Sequence, residues 1–110
     1  MGKRRSDSKT KNEKLWLSWV KNQRCMINNH QCGGCVEAHH ITDGGRRIGD
    51  FYALPLCRNH HGPQTPVPMG EAVHKGKKMF EEKYGSQFEL LEKIRMRWVA
   101  QFQSKPWEIL

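Results

Sequence analysis

Cys32-Gly33-Gly34-Cys35-Val36-Glu37-Ala38-His39-His40, together with Leu54-Pro55-Leu56-Cys57-Arg58-Asn59-His60-His61, is the stretch on which the fold turns. Residues 32–61 hold three of the four cysteines and four of the six histidines. Packing alone does not explain such a density of thiol and imidazole ligands, and a metal-organised core does. Cys32 and Cys35 have the spacing that lets two thiolates grip one tetrahedral ion from a tight turn, and Gly33-Gly34 lets the backbone bend there. Cys57 and His60 repeat that spacing, giving a CxxC…CxxH set that closes a structural zinc site. Cys25 is left over: it either replaces His60 in an all-cysteine site or is a buried thiol, and the mirrored spacing favours His60. A redox role for Cys32 and Cys35 needs a strand–helix setting that the flanking residues lack.

With His60 assigned to the cysteines, His39, His40, His61 and His74 remain from residue 32 onward. Three imidazoles can hold a divalent ion with open positions, which leaves a fourth to act on water. Phosphodiester hydrolysis needs both functions, a base for the attacking water and a cation for the charge that develops on phosphate. A histidine, titrating near neutrality, suits the first.

Working outward, residues 36–41 read as a short strand whose alternation sends His39 and His40 to opposite sides. Residues 42–50 form a glycine-rich connection carrying Arg46 and Arg47. Residues 51–56 form a second strand that Pro55 ends or confines to a sheet edge. Cys57 then opens a helix or tight turn. Residues 13–24 read as a helix with Leu15, Trp16, Trp19 and Val20 on one face. Residues 79–84 read as a short helix stopped by Gly85. Ser86 and Glu89 form a capping box opening a longer helix to about residue 103, with Phe88, Leu91, Ile94, Trp98 and Phe102 as its apolar stripe. Residues 62–70, with three prolines, are loop.

The 110 residues fit one domain, and the formal net charge of +8 points to a polyanionic partner, nucleic acid ahead of a membrane surface. Residues 1–12 are a basic arm in which Lys3, Arg4 and Arg5 can follow a phosphate backbone. Arg46 and Arg47 offer a second phosphate contact, with an exposed loop as the plain alternative. Polar residues follow Lys3-Arg4-Arg5 where a secretion signal would be apolar, and the apolar run at residues 15–20 is too short to span a bilayer. The expected location is cytoplasmic, with no membrane partner. The expected organisation is an arm at 1–12, a domain at 13–104 and a tail at 105–110 that is loose or forms an interface.

His39-His40-Ile41 followed by the LPLCRNHH segment resembles the HNH, or ββα-metal, endonucleases. More narrowly, Ala38-His39-His40-Ile41-Thr42-Asp43-Gly44-Gly45-Arg46-Arg47, the LPLCRNHHG segment, and His74-Lys75-Gly76-Lys77-Lys78-Met79-Phe80 with Tyr84-Gly85-Ser86 are similar to the phage-encoded, Ref-like, RecA-dependent recombination-enhancement nucleases. The likeness runs from about residue 32 to residue 87. It implies an α+β fold, with a small ββα-metal core and a structural zinc knuckle flanked by N-terminal and C-terminal helices. It implies His40 as general base, His39, His61 and His74 as ligands of a catalytic Mg²⁺, Mn²⁺ or Zn²⁺, and Cys32, Cys35, Cys57 and His60 as ligands of structural Zn²⁺. The partner it implies is DNA, held in a RecA-type recombinase filament. The middle Asn of the HNH name would fall near Tyr52, where none stands, and Asp50 is the nearest polar residue that could orient His40. The competing expectation is a zinc-stabilised DNA-binding module without catalysis.

Overall fold

The computed structural model describes residues 9–108, so Lys3, Arg4 and Arg5 of the expected basic arm lie outside the described residues. The chain is a small α+β structure with two two-stranded antiparallel sheets. Helix α1 spans Lys11–Lys21, followed by strands β1 (Val36–His40), β2 (Thr42–Asp43), β3 (Arg46–Arg47) and β4 (Ala53–Cys57). Helices α2 (Arg58–His61), α3 (Lys77–Tyr84) and α4 (Gln87–Phe102) complete it. Among the described residues no helix is long and apolar enough to cross a membrane.

Strands β1 and β4 carry the architecture, pairing from Val36 opposite Cys57 to His40 opposite Ala53. Every residue of β4 is buried, Pro55 included. Proline has no ladder donor, but its carbonyl is free, and here it accepts from the Met26 amide at 2.9 Å. The segment leaving α1 is thereby tied to the strand. Within the expected connection, residues 42–47 form a hairpin: Thr42 pairs with Arg47 and Asp43 with Arg46. Gly44 and Gly45, at φ 62° and 82°, supply the left-handed pair that a two-residue turn of matching twist requires.

Helix α2 is a single turn, and its first amides find acceptors outside the helix. The Arg58 amide donates to the Cys35 carbonyl at 3.0 Å and the Asn59 amide to the Gly33 carbonyl at 3.1 Å. The cysteine turn therefore lies directly on the start of α2. A Cβ at Gly33 would stand 2.6 Å from Asn59 Nδ2, and one at Gly34 would stand 2.6 Å from Arg58 Cβ. Both glycines are needed for this approach, Gly34 also for its φ of 80°.

Helix α1 begins at Lys11, earlier than the apolar pattern suggests, because Thr10 and Glu13 form a reciprocal capping box. Residues 11 and 12 are therefore helix, not arm. The helix stops at Lys21, short of the expected residue 24. Trp16 and Val20 are fully buried while Leu15 is exposed. On α4 the Ser86–Glu89 capping box forms as expected. Its buried face is Gln87, Leu90, Leu91, Ile94 and Trp98, at i, i+3, i+4, i+7 and i+11, so Phe88 and Phe102 fall outside it and are exposed. Residues 106–108 are not a loose tail: the Trp107 ring meets Trp16 edge-on at 5.5 Å, and the Arg95 guanidinium lies 4.9 Å over Trp107.

Candidate metal centres

Three histidines from three different elements converge. His39 comes from β1, His61 from the end of α2 and His74 from the loop before α3. Their ring centroids form a near-equilateral triangle of 4.9, 5.1 and 5.2 Å, and one nitrogen from each lies within 4.8 Å of the other two. Backbone bonds bring His74 in: the Val73 amide donates to the His60 carbonyl at 2.9 Å and the His74 amide to the His61 carbonyl at 3.2 Å. The loop is thus zipped along α2.

The hydrogen bonds around two of these rings decide which nitrogens are free. Gln87 donates from Nε2 to Glu81 Oε2 at 3.3 Å, which leaves its Oε1 to accept from His39 Nε2 at 2.6 Å. His39 therefore keeps a lone pair on Nδ1. His61 donates from Nδ1 to Glu37 Oε1 at 2.6 Å, leaving Nε2 free. Outer partners of this kind fix ring tautomer and orientation in metal sites. Burial pushes the His39 imidazole down to about 4, against the pull of Gln87, and the neighbouring rings push it the same way. Burial and the His61 ring also lower His74. Imidazoles converging on one point form a donor set suited to a borderline divalent ion.

His40, the next residue on β1, faces elsewhere. Its Nε2 bonds Asp50 Oδ1 at 2.9 Å, and the other Asp50 oxygen pairs with Lys9 Nζ at 3.0 Å. Burial lowers the His40 pKa, Asp50 opposes this, and Arg47 reinforces it. Burial resists ionisation of Asp50, but the bonds from Lys9 and His40 outweigh it and hold the carboxyl below its usual range. With Nε2–H directed at a carboxylate, Nδ1 of His40 is the basic nitrogen. Tyr52, near the expected Asn position, instead accepts the Ile41 amide on its carbonyl at 2.9 Å and lies 4.8 Å under the Arg95 guanidinium.

The cysteines group differently from the CxxC…CxxH expectation. Sγ atoms of Cys25, Cys32 and Cys57 lie within 4.8 Å of one another. Tetrahedral zinc thiolate sites place sulfurs about 3.8 Å apart, so this trio needs little closure to fit one ion. Cys35 is exposed and stands outside the trio, and all four thiols are free. His60 does not join them. It is fully buried with both nitrogens engaged, Nδ1 to the Glu71 carbonyl at 2.6 Å and Nε2 to Asn29 Oδ1 at 2.9 Å. Cys25 takes the place expected of His60 because the Met26–Pro55 bond carries the end of the α1 segment to β4, beside Cys57. Burial pushes the Cys25 thiol up to about 12. Burial also opposes ionisation of Cys57, but amide bonds from Gly33 and His60 and the adjacent thiols outweigh it and lower that thiol. An ion held here would release protons on binding.

The Glu71 carboxylate is bonded by Lys83 and by the Tyr84 hydroxyl, and Tyr84 in turn accepts from Asn29 Nδ2 at 3.1 Å. His60, Asn29, Glu71 and Tyr84 thus connect the cysteine loop to the loop that bears His74. Of the expected DNA contacts, Arg46 and Arg47 are exposed on the β2–β3 hairpin. Gln87, Glu37, Glu71 and Asn29 were not singled out from the sequence. Glu37 alone had a signal, since it shares a strand face with His39 two residues on.

The chain belongs to the family described as "Protein of unknown function (DUF968)", whose model matches residues 3–100. Among curated proteins it is similar to the uncharacterized protein YdfU of Escherichia coli (strain K12), with 35% identity over 82 residues. That match covers 69% of this chain and 20% of the relative, so the chain corresponds to about one fifth of that protein's length. No solved structure matches the chain.

Proposed function

We propose that the chain is a metal-dependent DNA endonuclease of the HNH type, hydrolysing phosphodiester bonds with His40 as general base. The observation that carries the reading is the four-histidine arrangement on a ββα unit. His39, His61 and His74 converge across β1, α2 and the following loop, while His40 is separately braced by Asp50. A closed structural site has no use for this second cluster, since the thiols already form one of their own.

Bound between His39, His61 and His74, a divalent ion such as Mg²⁺, Mn²⁺ or Zn²⁺ would neutralise charge on the phosphate and assist the leaving oxygen. Three imidazoles favour Mn²⁺ or Zn²⁺ over Mg²⁺, which prefers oxygen ligands. His40 Nδ1 takes the proton from water as its oxygen attacks phosphorus. Asp50 holds the Nε2–H tautomer and stabilises the imidazolium that results, and Lys9 holds Asp50. Gln87 and Glu37 keep His39 and His61 aimed at the common point. Arg46 and Arg47 on the hairpin, with Lys3, Arg4 and Arg5 on the arm, contact flanking phosphates. Cys25, Cys32 and Cys57 would hold a structural Zn²⁺, and Cys35, on the same turn as Cys32, is the candidate for the fourth thiolate. DNA in a recombinase filament is the substrate context that the Ref-like resemblance suggests.

The test is supercoiled plasmid incubated with the protein and Mg²⁺, Mn²⁺, Ni²⁺ or Zn²⁺ in turn, with and without recombinase filaments. Metal-dependent nicking or linearisation supports the reading. Salt-dependent DNA binding with no cleavage in any ion would establish the non-catalytic module instead.

A further inference from the structure

Beside the histidine triad lies an open cavity of about 360 Å³, near the lower limit of about 300 Å³ for small-ligand sites. It has room for one nucleotide unit rather than a stretch of duplex. It is lined by His61, His74, Glu37 and Arg58, with the proline-containing loop through Thr65 as a wall. The wall is fastened down: Lys75 Nζ donates to the Thr65 and Val67 carbonyls at 2.8 and 2.7 Å, and Thr65 Oγ1 donates to the Asn59 carbonyl at 3.1 Å. Lys75 is thus committed to the wall and Glu37 to His61. Arg58 makes no ion pair among the described residues.

Arg58 is also placed with care. Its amide is held by the Cys35 carbonyl, and its stem lies where only a glycine at position 34 leaves space. The same contact that fits the cysteine turn onto α2 therefore anchors the stem of the cavity's uncommitted cation. A planar guanidinium suits a phosphodiester, which offers two non-bridging oxygens to a fork of donors.

We infer that this cavity seats the DNA phosphate and sugar adjoining the scissile bond, with Arg58 as the cation that grips the phosphate. The inference rests on the DNA-cleaving reading above and adds a contact that the sequence motifs do not assign. It makes Arg58, rather than the hairpin arginines alone, a determinant of where the strand lies relative to the three histidines.

The experiment uses the full chain in a His40→Ala background and a fluorescently labelled duplex oligonucleotide titrated over a range of salt. Arg58→Met keeps the stem against Gly34 and removes the charge. It is expected to bind roughly tenfold more weakly. The slope of log affinity against log salt should fall by about 0.9, the value for one phosphate contact. Arg58→Lys should keep the slope, and Lys105→Gln, exposed beyond α4, should change neither quantity. Zinc content and melting curves accompany each variant, and Arg58→Gln is judged by the same criterion should Arg58→Met lose zinc. An Arg58→Met protein with the parent's affinity and slope overturns the inference. Because binding is read without cleavage, a wild-type protein that binds but never cuts overturns the nuclease reading and leaves of the inference only Arg58 as a DNA-phosphate contact. A parent that fails to bind DNA overturns both.

Discussion

His39 and His40 are adjacent, yet a strand turns consecutive side chains to opposite faces, and each meets a different partner: a neutral amide for His39, a carboxylate for His40. An amide oxygen leaves a buried imidazole neutral and ready to act as a ligand. A carboxylate stabilises the imidazolium once a proton has been taken. Gln87→Ala should therefore weaken divalent-ion binding at the histidine triad by about 10- to 100-fold, the usual effect of losing a ligand's outer hydrogen bond. Competition titration against a chelating dye would check this, with unchanged affinity contradicting the role given to Gln87. Asp50→Asn should leave folding and metal content intact while lowering the cleavage rate by at least about 100-fold, since it removes the charge that holds the His40 tautomer. Equal rates in a single-turnover assay would remove Asp50 from the mechanism.

Among the elements, the capped helices and the β1–β4 pair are held by local and paired interactions, whereas the cysteine and histidine loops depend on the network of buried His60 and Glu71 with half-buried Asn29 and Tyr84. Ser86→Ala removes the oxygen that accepts the Glu89 amide at 3.1 Å and should cost about 1 kcal/mol in denaturant unfolding. Burial disfavours the Glu71 carboxylate, but bonds from Lys83 and Tyr84 outweigh this and bring its pKa below the usual value of 4.5. A carboxyl depressed on folding contributes stability that is present above its unfolded pKa and is lost as pH falls through the folded one. Wild-type stability should accordingly drop as pH is lowered beneath about 4.5. Glu71→Gln should be less stable at neutral pH and show a shallower acid dependence. Parallel acid profiles for the two proteins, followed by melting temperature, would show that the network contributes nothing through ionisation.

For the whole molecule, a small core is assisted by a cluster of four tryptophans, and the thiol trio could add a metal staple to it. Trp16 lies against Trp19, Trp98 and Trp107, at centroid distances of 5.5, 5.6 and 5.5 Å. Trp16→Ala should cost about 3–5 kcal/mol in equilibrium unfolding, enough to unfold much of a domain this small. The elements legible in the sequence were those whose signals are local: the Ser86–Glu89 box, the Gly85 stop, the strand before His40, and the turn at Gly33-Gly34. The triad of His39, His61 and His74 was legible as a set only through the HNH resemblance, since the residue pattern alone left four histidines undivided between ligand and base. The thiol partnership was not. Cys25 reaches Cys57 through a bond from Met26 to Pro55, far apart in the chain, and His60 is withdrawn by Asn29 and Glu71, contacts that no spacing rule encodes. Thr10 as a cap was missed because the basic residues around it resembled an unstructured arm. Trp107 was missed because its partner, Trp16, lies at the other end of the chain.

The most direct measurement compares wild type and His40→Ala on supercoiled plasmid in the best-supporting divalent ion, with zinc content and melting temperature recorded for both. The account predicts cleavage by wild type and none above background by the variant, with zinc and stability equal in the two. Cleavage by His40→Ala at the wild-type rate would contradict it.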